Sequence, residues 1–94
     1  AQVVEKLSHA PARLFGVDRR GYIREGYHAD LVLVDRKAPW TVEKANLLYK
    51  CGWSPFEGQR FTSQVLRTWV NGRTVFADGQ VDRSVRGERL RFER

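Results

Sequence analysis

The sequence predicts a mainly β chain with short helices at its N-terminus. Three observations carry that expectation. Val3, Val4, Leu7, Leu14 and Phe15 recur at close to helical multiples, and that spacing stops there. The run Leu31-Val32-Leu33-Val34 is continuously apolar and partly β-branched. Two alternating stretches meet at Asn71-Gly72.

Pro11 interrupts the helical spacing. Proline is tolerated in a first helical turn but not in a helix interior. The expectation is therefore two pieces, one over about 2–8 and one from Pro11 to Phe15, with Ser8 capping the second. Gly16 supplies the C-terminal stop. Gly21 to Gly26 reads as a short strand with a turn at each end. Leu31 to Val34 reads as a strand covered on both faces, because neither side of it is polar.

Pro39, Trp40 and Thr41 break the pattern, and 42–50 is either a short helix or an irregular connection. Residues 50–58, Lys-Cys-Gly-Trp-Ser-Pro-Phe-Glu-Gly, form a loop. Leu66, Thr68 and Val70 then alternate with Val65, Arg67 and Trp69. Asn71-Gly72 between this run and 73–77 predicts a type I′ hairpin of about 63–70 and 73–77, since both turn residues need positive φ. Asp78-Gly79 makes a second turn before Gln80-Val81. Residues 83–94 read as an exposed tail, weakly anchored by Val85, Leu90 and Phe92. No repeat or low-complexity segment is present.

Ninety-four residues make at most one small domain. A stand-alone (β/α)8 barrel is excluded, because it needs roughly 200 residues or more. No apolar run approaches the ~20 residues a bilayer span requires. The single Cys51 cannot form an internal disulfide, and no secretory leader is visible, so a reducing cytoplasmic setting is expected. The chain starts at Ala1 inside a helical pattern and contains no Met, as a fragment or processed product would.

The net charge is +6, from 17 Lys and Arg against 11 Asp and Glu. That excess is spread evenly along the chain. Even the tail cations Arg83, Arg86, Arg89, Arg91 and Arg94 are interrupted by Asp82, Glu88 and Glu93. Nucleic-acid binders concentrate their cations on one face or tail, so a solvated mixed-charge surface is the better reading.

The chemistry-bearing residues do not add up to a site. His9, His28 and Cys51 share no metal-ligand spacing. His9 reads as a hydrogen-bonding or solvated residue, and His28 as an exposed turn residue. Cys51 follows Lys50, which can lower a thiol pKa, but no histidine is near in sequence. Ser8-His9 are neighbours in sequence, which is not the geometry of a triad. The span from Gly16 to Gly26 has neither phosphate-binding glycine pattern. Asp30 and Asp35 sit at opposite ends of one strand, where turn capping is the common role. No catalytic, cofactor-binding or metal-binding residue is therefore assigned.

Several segments, in order, resemble the C-terminal end of the amidohydrolase superfamily. They are Lys6 to Gly16, Gly21 to Gly26 and Ala29 to Asp35. Trp40-Thr41-Val42, Ser54 to Gly58 and Val65 to Val75 narrow the resemblance to the cyclic amidases, nearest the dihydroorotase branch, with hydantoinases and allantoinases close behind. The resemblance implies a (β/α)8 metal barrel joined to a small β-sandwich. On that basis 1–16 would be the last barrel helices, 17–82 sandwich strands with their connecting loop, and 83–94 an exposed tail. The implied reaction is the reversible cyclisation of N-carbamoyl-aspartate to dihydroorotate at a zinc centre in pyrimidine synthesis. Zinc is implied for the full-length parent and not for this chain, since the ligand motifs would lie upstream.

The resemblance makes the rest of the enzyme chain the expected partner, with a homo-oligomer as a further expectation and neither nucleic acid nor membrane as a partner. One departure stands out. Family members commonly carry Asn before the Pro, and this chain has Ala10. That forfeits an N-cap worth about 0.5–2 kcal/mol unless Ser8 replaces it. Two other readings stay open: a free-standing β-sandwich interaction module, and a small basic nucleic-acid binder. On either the enzyme-segment or the module reading, the isolated chain is expected to expose an apolar face and to be marginal or oligomeric.

Overall fold

A helical segment over 2–15 opens the computed structural model, which describes residues 1–93. It consists of α1 (Gln2–Val4), a π-helical turn (Glu5–His9) and α2 (Ala10–Phe15). The expected break at Pro11 is absent. Proline lacks an N–H and its ring clashes with the carbonyl four residues back, here that of Leu7. The preceding turn widens instead, so that the Ala10 N–H bonds to the Glu5 carbonyl, five residues back. The helix thus passes the proline by shifting its ladder one residue. Ser8 lies inside that turn and no side chain caps α2, which corrects the expected Ser8 cap.

The stop at Gly16 forms as expected. Its φ is +64°, its N–H bonds to Arg13 O, and the Val17 N–H bonds to Ala12 O. This pair of bonds is a Schellman motif, which satisfies carbonyls the helix leaves open.

No strand forms over 21–26. Gly21 has φ +85° and lies so close to the helix that a Cβ there would come within 2.6 Å of the Ala12 Cβ and 2.8 Å of the Ser8 carbonyl oxygen. The chain then turns at Arg24 to Tyr27, closed by a 3.1 Å bond from the Tyr27 N–H to the Arg24 carbonyl. Docking on the helix replaces strand pairing here, and Ile23 is left 88% exposed.

The main sheet is antiparallel with order β1-β4-β5-β6: β1 (Leu31–Asp35), β4 (Gln64–Val70), β5 (Arg73–Ala77) and β6 (Gln80–Val81). The predicted hairpins form at the predicted turns. Asn71 and Gly72 have φ +51° and +77°, and Asp78 and Gly79 have +53° and +77°. Positive φ at both central residues is the type I′ requirement. Two register shifts interrupt the ladders. Leu33 pairs Arg67 while Val34 pairs Val65, so Leu66 is an extra residue. Thr68 pairs Phe76 while Trp69 pairs Thr74, so Val75 is another. Such bulges bend and twist a sheet.

A second ladder joins β2 (Trp40–Thr41) to β3 (Arg60–Phe61), where the sequence shows only a break in pattern. Bonds from Val42 N to Gln59 O and from Gly58 N to Val42 O extend it. Between its strands, 42–50 forms one 3-10 turn, Lys44–Asn46, inside an otherwise irregular connection. Trp40 anchors the ladder by donating its indole N–H to the Ser63 carbonyl at 2.8 Å. The tail is held beside 16–18, with Val17 bridged to Phe92 and the Asp18 N–H bonded to Arg91 O. Arg94 lies outside the described residues.

The core is minimal. Ala12 and Val42 are the buried hydrophobic residues among those described. The accessible surface is 8084 Å², against about 5,600 Å² for a monomeric protein of this size. The radius of gyration is 15.4 Å, against about 12 Å. Leu31 is half-buried, and Val32, Leu33 and Val34 are exposed. The cover expected on both faces of this strand is not supplied by these residues.

Candidate functional site

Two polar clusters hold the helix, the 18–30 segment and the sheet together. The first centres on Tyr22. The His9 and Tyr22 rings stack in parallel, 4.2 Å between centroids and 4° between planes. The Arg24 guanidinium lies 4.1 Å from the Tyr22 ring centroid. Arg13 donates to both the Tyr22 hydroxyl and the Glu5 carboxylate, and Glu5 also pairs with His9 Nδ1 at 3.2 Å. The Arg13 bond, seconded by His9, holds the Glu5 carboxyl below its ordinary range. The i,i+4 spacing of Glu5 and His9 places both on one helix face.

The second cluster centres on Asp30. Its carboxylate accepts from Arg20 Nη1 and, at 2.8 Å, from the Asn71 backbone N–H. Arg20 is nine-tenths buried, while a third of the Asp30 side chain is exposed. Burial alone would raise the Asp30 carboxyl. The Asn71 N–H and the Arg20 guanidinium more than offset this and hold it below the ordinary value. Ala29 O also accepts the Gly72 N–H at 3.0 Å. The strand start and the hairpin turn are therefore joined by two backbone donors.

The chemistry-bearing residues weighed from sequence are scattered. His9 is engaged by Glu5 and Tyr22, and Ser8 lies within the π turn. His28 is half-buried and its N–H bonds to Arg19 O, so it is not the plain exposed turn residue expected. Cys51 is exposed, and its sulfur lies 3.9 Å from Trp53 O. Asp35 accepts the Lys37 N–H at 2.9 Å, the expected turn role. Asp30 does more than cap a turn, because its partner Asn71 is 41 residues away. Among the described residues, no three of His, Cys, Asp or Glu are grouped to hold a metal ion.

A model of the amidohydrolase family matches residues 1–76. The dihydroorotase of Pyrococcus abyssi is 40% identical over 94% of this chain. The chain belongs to the amidohydrolase family. The dihydroorotase of Pyrococcus furiosus is 36% identical, again over 94% of the chain. The allantoinase of Rubrobacter xylanophilus is 40% identical over 99%. The L-hydantoinase (dihydropyrimidinase) of Arthrobacter aurescens has a similar structure, with TM-score 0.75 and 31% identity over 85% of this chain and 18% of that one. The chain spans about a fifth of the curated relatives it matches, 21% of the P. furiosus protein and 22% of the other two. Among the described residues, no helix is long and apolar enough to cross a membrane.

Proposed function

We propose that this chain is the C-terminal segment of a dihydroorotase-like cyclic amidase and serves it structurally, without a catalytic group of its own. Residues 1–16 would close the (β/α)8 barrel. Residues 17–82 would supply strands of the accessory β-sandwich and their connecting loop. Residues 83–94 would run over the outside as a tail. The parent reaction would be the reversible cyclisation of N-carbamoyl-aspartate to dihydroorotate, in pyrimidine synthesis within the cytoplasm.

The observation that carries the reading is the uncovered apolar surface. The exposed surface exceeds that of a folded monomer by roughly 2,500 Å². Covering it would bury about 5,000 Å² over both partners, the scale of obligate interfaces. Leu7 and Leu14 are 74% and 77% exposed on the helix. An amphipathic helix face of that kind needs another layer to pack against.

Zinc supplies a metal-activated water for amide hydrolysis where it is bound. The described residues of this chain do not offer the three or more converging ligands such a site needs. They do not fit the ion, so it would be held by residues outside this chain.

A hydantoinase- or allantoinase-type parent is the second reading, favoured by the R. xylanophilus identity and the A. aurescens structure. One experiment addresses both. Residues 1–94 alone and the intact polypeptide carrying them are assayed for zinc content and for hydrolysis of dihydroorotate, hydantoin and allantoin. The intact protein should hold zinc and prefer dihydroorotate. Residues 1–94 alone should do neither, and stoichiometric zinc or turnover in that sample would overturn the structural role.

A further inference from the structure

A cleft of about 230 Å³ lies between the 18–28 segment and the tail. Small-molecule pockets run about 300–1,000 Å³, so this one suits a small ion better than an organic cofactor. Its cations are Arg19, Arg20, Arg89 and Arg91, with His28 beside them. Its acids are Asp18 and Glu88. Arg19 is paired with Asp18 and Arg20 with Asp30. Arg89 and Arg91 have no ion pair among the described residues. The lining therefore carries one acid without an ion pair, Glu88, and two such arginines.

The placement follows from the backbone. Phe92 bridges Val17, and the Asp18 N–H bonds to Arg91 O at 2.8 Å, which lays the tail beside the cleft. Arg89 and Arg91 both line the cleft, with Glu88 next to Arg89 in sequence. Across from them, Arg20 is only 9% exposed and is fixed by Asp30. Planar guanidiniums, one of them immobilised, match the geometry of a tetrahedral oxyanion.

We propose that this cleft binds a small oxyanion of the phosphate type, gripped by Arg89 and Arg91 against the fixed Arg20. The site is independent of the cyclic amidase reading and stands or falls without it.

The test is calorimetric titration of the intact polypeptide with inorganic phosphate, at ionic strength held constant with sodium chloride. The wild type should bind saturably. Arg89→Ala with Arg91→Ala should weaken binding about tenfold or more, the loss of two charge-assisted contacts. Both residues are exposed, and the bond that ties the tail here uses the Arg91 backbone carbonyl, which the substitution keeps, so the variant keeps its structure. Arg36→Ala with Lys37→Ala removes the same charge from the turn after β1 and should change affinity less than about twofold. Absence of saturable binding in the wild type overturns the proposal. So does equal weakening by the two double variants, which would make the effect one of net charge.

Discussion

Arg20 and Asp30 form an ion pair that ties the loop after the helix to the start of β1, and the same carboxylate accepts the Asn71 N–H at the tip of the β4–β5 hairpin. One side chain thus joins three stretches that are distant in sequence. Removing it leaves a nearly buried guanidinium without its partner. Asp30→Ala in the intact polypeptide should cost about 1–3 kcal/mol in urea unfolding. Asp35→Ala loses one exposed turn bond and should cost clearly less. Equal effects would contradict the assigned role.

The same contacts set an acid dependence. The folded Asp30 carboxyl lies below its ordinary value of 3.8, and so does that of Asp82, through its bonds from Ser84. A depressed folded pKa stabilises at pH above the unfolded value, and the gain is lost as pH falls through the folded one. Urea midpoints should therefore drop between about pH 5 and pH 2. Asp30→Asn should be less stable than wild type at the upper end and should lose less on acidification. A variant curve parallel to the wild type would remove Asp30 from the explanation.

Gly21 and Gly26 have nearly the same φ, +85° and +80°, but different surroundings. A Cβ at Gly21 would collide with Ala12 and the Ser8 carbonyl, whereas one at Gly26 meets nothing within 4 Å. Gly26→Ala should cost about 1 kcal/mol from backbone strain alone. Gly21→Ala adds overpacking of about 1–3 kcal/mol against the helix. Thermal unfolding of the two variants separates these terms, and equal shifts would mean that Gly21 is not tightly docked.

The Tyr22 cluster gives a prediction about the helix. Tyr22→Ala removes the His9 stack, the Arg24 contact and the Arg13 acceptor together. Hydrogen exchange should quicken across 5–13 while the β4–β5 hairpin stays protected. Unchanged exchange in the helix would show that Gly21 alone holds it.

The elements legible in the sequence are those built from neighbours. Both turns were readable from Asn71-Gly72, as type I′, and from Asp78-Gly79, and β4 was readable from its period of two. The Gly16 stop is local in the same way. What escaped reading depends on distant partners. The strand expected over 21–26 is displaced by helix docking at Gly21, and the β2–β3 ladder joins residues about twenty apart. The π turn that carries the helix past Pro11 has no sequence signature of its own. The Asp30–Asn71 contact joins residues 41 apart and leaves no local signal. The β1 residues read as covered from their unbroken apolar run, yet Val32, Leu33 and Val34 are exposed among the described residues.

These residues expose far more surface than a folded monomer of their size. The most direct measurement is thermal unfolding of residues 1–94 alone at several concentrations, with size read by sedimentation. The expected result is a broad, low-temperature transition, or an oligomer whose transition shifts with concentration. A monomer with a sharp, concentration-independent transition at high temperature would contradict it.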